Sequence, residues 1–467
     1  MAFKNSLKGG YFIGYTGAML PASYAVRKYG QRHLLTFTLI MSGILNFLLP
    51  IMASTSVKLA VLNRIIVGTI QSPILPAQQG ILVPWSPLDE ATRMLSFQAT
   101  GILVGTLILF VGGPHLMNAF GWEYLFWVCG ACNLLFGFLF FAIVRNRPED
   151  CSFISPEELK HITQVSIHAE TGQQEVGKWG WKMQHFLNFP TRINFSNCSK
   201  FSNILTTLSN YIFYVNFKPK RRFFIQERNQ SQKTNSKAVP VKAIMTSMPF
   251  WAIFATLVNY WQIHTLFMFL YPKYLSDIQG ERTMFWFQPD RSTADVNKFV
   301  FSGIDIETIG YLTALPIFIE FFVQSLGGVF ADHLYRRDFS IGWIRNFMGF
   351  NGQVVPGLCS FAFFLIGCNL NFANAIAIIA LPISSLQMSG GFANINDICP
   401  SYVTSAFAIL NTMASLTSFL IIHFGGMVLE HVGNNQFSWA LIFRIGWKLL
   451  YHLYMLTPKL WVISYDL

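Results

Sequence analysis

Three ionisable side chains stand in stretches that are otherwise apolar: Arg64, His264 and Glu320. Arg64 interrupts the run from Val57 to Leu82 (VKLAVLNRIIVGTIQSPILPAQQGIL). An arginine at the bilayer centre costs at least ~2.5 kcal/mol on insertion scales, so it faces a protein interior or a water-filled cavity. A fixed guanidinium in a cavity attracts anions; it can equally hold helices together through backbone carbonyls or a carboxylate elsewhere in the bundle. Glu320 lies within LPIFIEFFVQSLGG. A buried carboxylate either pairs with a cation or keeps its proton, which makes Glu320 a candidate proton site or a partner for Arg64. His264 follows Trp261 in VNYWQIHTLF, forming a small aromatic and titratable cluster. Histidine suits proton coupling near neutral pH, although a lone histidine on a helix is also an ordinary core residue.

The elements that must position these groups are membrane helices. The 467 residues are 52% hydrophobic and only 12% charged, against a soluble norm of roughly 25% charged. Lys+Arg total 33 against 22 Asp+Glu, a net charge of +11, but no basic face with base-stacking aromatics emerges, so nucleic acid is not the expected partner. The 7 cysteines are odd in number and scattered through apolar segments, which argues against a disulfide framework. Cys129 and Cys132 form a C-x-x-C inside YLFWVCGACNLLFGF, where small residues for helix packing explain them better than redox or zinc chemistry. The 10 His are dispersed without ligand spacing, so no metal site is expected, and neither a reactive cluster for a membrane enzyme nor a selectivity sequence for a channel is evident.

A bilayer core needs ~20 mostly apolar residues per helix. Spans are expected near Gly9–Tyr24, Leu34–Ala53, Val57–Leu82, Leu95–Met117, Tyr124–Val144, Pro249–Leu270, Thr308–Ala331, Ile344–Gly367, Phe372–Phe392, Val403–Val428 and Trp439–Ile463. Arg444, Lys448 and His452 interrupt the last. Arg27, Lys28 and Arg32 follow the first span, Arg93 the third, Lys218, Lys220, Arg221 and Arg222 the fifth, and Arg336 and Arg337 the seventh. The positive-inside rule puts these loops in the cytoplasm. Met1 then lies on the opposite side, with no cleavable signal peptide between it and the first span. Five spans before the central loop and six after it point the same way, because two-half transporters are built from equal halves. The expectation is an N-terminal bundle over 1–146 that lacks its first helix, a cytoplasmic segment over 147–242, and a C-terminal bundle over 243–467. Gly172–Ala238 and Gly280–Phe301 read as insertions, and the sequons at Asn194, Asn197 and Asn229 fall on the cytoplasmic side, where glycosylation is not expected.

Several blocks together resemble one family. Arg64 to Trp122 contains RIIVG, WSPLDEATR, GILVG and GW, supplying Trp85, Pro87, Glu90, Arg93, Gly101, Gly105, Gly121 and Trp122. ISPEEL at 154–159, KAIMTSMPFWAI at 242–253, GYLTALP at 310–316, GGVFADHLYRR at 327–337 and GGFANINDICPSY at 390–402 with Asn411 complete the set. The chain thereby resembles the major facilitator superfamily, and within it the anion:cation symporters of solute carrier family 17, the relatives of sialin, vesicular glutamate transporters and sodium-phosphate cotransporters. The resemblance implies an all-α, polytopic two-bundle fold with about eleven of twelve helices present. It implies secondary transport of small organic or inorganic anions by alternating access, with H+ or Na+ as coupling ion and no other cofactor, by a monomer in a plasma, vesicular or lysosomal membrane.

On this reading Arg64, Trp261, His264, Asn394 and Asn411 bind substrate, and Glu320 and His264 are the ion-coupling candidates. Glu90, Arg93, Asp332, Arg336, Arg337 and Asp397 serve gating, with helix capping an equal reading for Asp397. Asp332 is placed to cap a neighbouring helix and pair with arginine during closure. Gly101 and Gly105 are expected to let two helices approach closely. The chain departs from the family at four points: the first-helix arginine is absent, Gln71 stands where a titratable carboxylate is common, Lys8 stands where some relatives carry histidine, and Asn259 stands where vesicular glutamate transporters carry a second arginine. A transport-inactive family member is the alternative, and a membrane enzyme a more distant one.

Overall fold

The computed structural model describes residues 2–87, 89–162, 241–278, 306–366, 370–398 and 402–432. The two suspected insertions, the three sequons and the span expected at Trp439–Ile463 lie outside these residues. Among the described residues all regular structure is helical: α1 (Ala2–Tyr29), α2 (Gln31–Thr55), α3 (Val57–Gln71), α4 (Ile74–Trp85), α5 (Ala91–Phe120), α6 (Trp122–Ile143), α7 (Val241–Thr246), α8 (Met248–Thr265), α9 (Tyr271–Ile278), α10 (Ile306–Arg336), α11 (Ile341–Ile366), α12 (Leu370–Ser384), α13 (Ala393–Ile398) and α14 (Val403–Val432). Among the described residues seven helical segments are long and apolar enough to cross a membrane, and the protein is a multi-pass integral membrane protein.

The span expected over Val57–Leu82 is broken into α3 and α4 at Ser72 and Pro73, because proline cannot donate to the preceding turn. Ser56 starts α3 by leaving the helical region and accepting the Lys58 N–H at 3.3 Å. Two other breaks use left-handed glycines, Gly30 (φ 86°) between α1 and α2 and Gly121 (φ 102°) between α5 and α6, so that neighbouring helices reverse within a single residue. Ser155 opens a further helix by accepting the Glu158 N–H at 3.1 Å. In the second half, π-helical turns at Leu266–Leu270 and Met388–Phe392 interrupt the spans expected over Pro249–Leu270 and Phe372–Phe392. Such turns commonly mark functional positions.

α1, α2, α3 and α6 pack together, α8 to α14 form a second group, and α5 and α1 carry the contact between them, α5 against α10 and α1 against α14. The larger apolar cores lie in the second group and draw on α5: Leu103 and Phe110 pack with Ile263, Leu266 and Ile317, while Leu95 packs with Phe250 and Leu410. Large apolar side chains such as Ile108, Phe136, Phe138 and Ile143 face outward, as lipid contact requires.

The α5–α10 seam is close because α10 brings glycine to it at both ends. A Cβ at Gly328 would lie 2.6 Å from Ser96, and one at Gly310 would lie 2.4 Å from the Phe110 carbonyl oxygen. Gly101 and Gly105, expected to serve this purpose, are exposed, and a Cβ at either would meet nothing within 4 Å among the described residues. They lie on the face of α5 turned away from the seam, and Gly310 and Gly328 take the role assigned to them.

Candidate functional site

Around Arg64 the geometry is set by α1. A Cβ at Gly14 would lie 2.0 Å from the Ile65 carbonyl oxygen, and one at Gly68 would lie 2.1 Å from that of Tyr11, so α1 and α3 run in backbone contact. This brings the Tyr11 hydroxyl to Gln71, to which it donates at 3.0 Å, and within electrostatic reach of Arg64. The guanidinium sits 5.0 Å from the centre of the Phe126 ring, a cation–π contact, and makes no ion pair among the described residues. One turn along α1, Tyr15 stacks on Tyr11 with ring centres 5.7 Å apart, and its hydroxyl accepts from Asn411 Nδ2 on α14 at 3.1 Å. Arg64 and Asn411, far apart in sequence, therefore stand at opposite ends of one tyrosine pair that bridges the two helix groups.

A second cluster lies within α8, α10 and α12. Glu320 is fully buried, and its Oε1 meets His264 Nε2 at 3.1 Å. Neither carboxylate oxygen receives an aligned hydrogen bond among the described residues. The Tyr260 ring covers the imidazole at 4.0 Å, and Ser384 Oγ stands 3.4 Å from Nε2. Glu320 thus takes the histidine as its partner, and the pairing with Arg64 considered from the sequence does not form. Trp261 packs edge-on to Tyr260 with its indole N–H buried and unpaired among the described residues, as are Asn259 Oδ1 and both amide ends of Gln262. Buried polar atoms without partners mark a place where water or a ligand completes the set. Asn394 is buried on α13.

Most of the residues expected to serve gating converge on the first turn of α5, whose free N–H groups favour a carboxylate. Asp332 accepts from Arg93 N at 2.7 Å and Thr92 N at 3.3 Å, capping α5 from α10. Arg336 pairs with Glu90 at 3.0 Å and Asp89 at 3.2 Å, while Glu90 also pairs with Arg93. Burial pushes the Glu90 carboxyl up, but hydrogen bonds and charge from Arg93 and Arg336 outweigh it and hold it below the usual 4.5. Arg337 is exposed and forms no ion pair among the described residues. Asp397 accepts from Arg345 Nε at 2.8 Å and caps no helix among the described residues. Arg345 also donates to Thr92 Oγ1 at 3.0 Å and the Ser389 carbonyl at 2.8 Å, so one arginine joins α5, α11, the second π turn and α13.

Arg345 is a residue that the sequence reading passed over, although it breaks the expected span Ile344–Gly367 just as Arg64 breaks its own. Tyr11 and Tyr15 had no such signal, since tyrosine in an apolar run looks like core. At the other end of the seam His115 meets Tyr311 Oη at 2.7 Å and Glu307 at 3.2 Å, and Asn118 donates to Glu307 at 2.9 Å.

A family model described as Major Facilitator Superfamily matches residues 5–421. Among curated proteins, a probable small intestine urate exporter of Mus musculus is 22% identical over 95% of this chain and 72% of its own length. Sialin of Ovis aries is 23% identical over 87% and 65% respectively, and sodium-dependent phosphate transport protein 3 of Mus musculus is 22% identical over 84% and 64%. The matched region therefore spans a little under two thirds of the last two. Among solved structures, a double-tryptophan mutant of XylE aligns with a TM-score of 0.60 at 14% identity, covering 98% of this chain and 88% of that one. The proton:xylose symporter XylE with a bound sugar analogue aligns at 0.58, also at 14% identity, covering 97% and 86%. These likenesses are to transporters and not to enzymes, and with a family match across most of its length the chain belongs to the major facilitator superfamily.

Proposed function

We propose that this protein is a secondary transporter of a small organic or inorganic anion, working by alternating access and coupled to H+ or Na+. The observation that carries the reading is Arg64: a cation within a membrane helix, with the Phe126 ring against it, Tyr11 within electrostatic reach and no counter-charge among the described residues. A guanidinium so placed is completed by a carboxylate, phosphate or comparable anion. Relatives named for urate and phosphate support that class. Asn411, at the far end of the tyrosine pair, and Trp261 on α8 are the other substrate contacts proposed. The residues on the first turn of α5 form the gate, because their permanent charges tie α5 to the second helix group at one end of a path that has to open.

The test is uptake of labelled urate and phosphate into proteoliposomes. Arg64→Ala is expected to reduce saturable uptake at least tenfold with the protein still inserted, since one lost charge-assisted contact is worth about 1.5–3 kcal/mol. Saturable anion uptake of normal affinity in that variant would remove Arg64 from the site.

A further inference from the structure

Glu320 and His264 form a closed set. The imidazole lies 3.1 Å from the carboxylate, the Tyr260 ring covers it, and the Ser384 hydroxyl stands 3.4 Å from its Nε2. Among the described residues the helices packed around the pair bring no other charge to it: α14, against α8, carries His423, Glu430 and His431 only in its last third. α5 carries charged or titratable groups only towards its ends, at Arg93 and His115, α12 carries none, and the Arg345 of α11 is committed to Asp397 at the inner end. Among the described residues the titratable groups beside Glu320 are His264, at 3.1 Å, and Tyr260, whose ring covers that imidazole.

A pair of this kind in a dry interior is stable when neutral as a whole, with one proton shared between carboxyl and imidazole. Losing that proton leaves a net negative charge on a carboxylate neither of whose oxygens receives an aligned hydrogen bond among the described residues. The loaded pair can therefore be enclosed, and the unloaded pair needs water. That asymmetry is what coupling requires, because it ties the passage between outward-open and inward-open forms to proton occupancy.

Resting on the transport reading above, we infer that the coupling ion is H+ and that the Glu320–His264 pair carries it, one proton per cycle, at a place distinct from the Arg64 anion site. On unloading, the carboxyl O–H or imidazolium N–H bond breaks, its electron pair stays on the protein, and water takes the proton; loading is the reverse. Sodium does not fit these groups: a hard cation asks for a shell of oxygens, and here one carboxylate, one hydroxyl and a phenol ring surround a nitrogen.

The experiment compares two rates in the same proteoliposomes, using labelled phosphate or urate: accumulation driven by an imposed pH gradient, and exchange at equal pH. Their ratio corrects for the amount of folded protein. Glu320→Gln is expected to lower the ratio at least tenfold, and Glu320→Asp to restore it to within about threefold of the wild type. A Glu320→Gln ratio within twofold of the wild type would overturn the proposal. So would wild-type accumulation that follows a Na+ gradient at equal pH, or loss of exchange in a Glu320→Gln protein present at normal level, since the carboxylate would then serve the anion itself. Should that variant fail to fold, anion-dependent proton flux in the wild type decides: its presence supports the pair as the one proton carrier proposed, and its absence ends the proposal. Wild-type protein with no exchange at all would instead refute the transport reading.

Discussion

The α5–α10 seam is fastened at both ends, and the two fastenings are built differently. At the end bearing Asp332 and Arg345, permanent cations meet carboxylates and backbone groups, and much of the network is buried: Arg345 is 6% exposed and Asp332 5%. At the end bearing His115 and Glu307, both partners are exposed and the cation exists only when the imidazole is protonated. Water and salt screen the second set and hardly reach the first. One end is thus a latch with a defined energy, and the other a contact that solvent can replace. The seam glycines fit this contrast only in part, since Gly328 and Gly310 bring the helices equally close at both ends. The difference lies in the charges and not in the packing.

Four substitutions or conditions would break or sharpen that contrast. The largest effect is expected of Arg345→Ala, which strands Asp397, Thr92 and the Ser389 carbonyl at once; loss of one partner of a buried pair costs about 3–5 kcal/mol. Thermal melting of the detergent-solubilised protein reads it, and an unchanged melting point would show that the inner end is no stronger than the outer. Asp332→Asn follows, at about 1–2 kcal/mol, through loss of the anionic cap on α5. Its reporter is a cysteine introduced at Ser96, which should react faster with a polar thiol reagent from the basic-loop side once the latch loosens. Third, acid should weaken the inner end. The Glu90 carboxyl is held below its ordinary 4.5 in the folded protein, so its stabilisation is present above that value and is lost as pH falls through the depressed one. The melting point should therefore drop more steeply below about pH 4.5 in the wild type than in Glu90→Gln. Smallest is His115→Ala, at under about 1 kcal/mol, as for other exposed pairs. A larger loss on melting would place real strength at the outer end and erase the contrast.

Charge in the wrong surroundings was readable wherever it was looked for. Arg64 and Glu320 stood out because an ionised group in an apolar run has few explanations, and Asp332 with Arg336 stood out because a glycine-aspartate-arginine loop can cap and pair at short range. Arg345 obeyed the same rule and was lost because it stands near the start of its span, where a snorkelling arginine looks ordinary. Gln71 was read for what it could not do, which is titrate, while its use in the structure is to accept from Tyr11. The glycines misled for a related cause: spacing at 101 and 105 says that a face is smooth, and not whether a helix lies against it.

By itself, then, the sequence determined the helices, their membrane setting and the kinds of group inside them, because hydrocarbon tolerates only long apolar runs with internally satisfied backbones. What it left open is who meets whom. Glu320 chose His264 over Arg64, Asn411 reached Tyr15, and Asp397 took Arg345, and each of these pairings joins helices separated in the chain. Helix packing fixes such distances to a few ångströms, and a buried charge pairs with whatever that packing brings within reach.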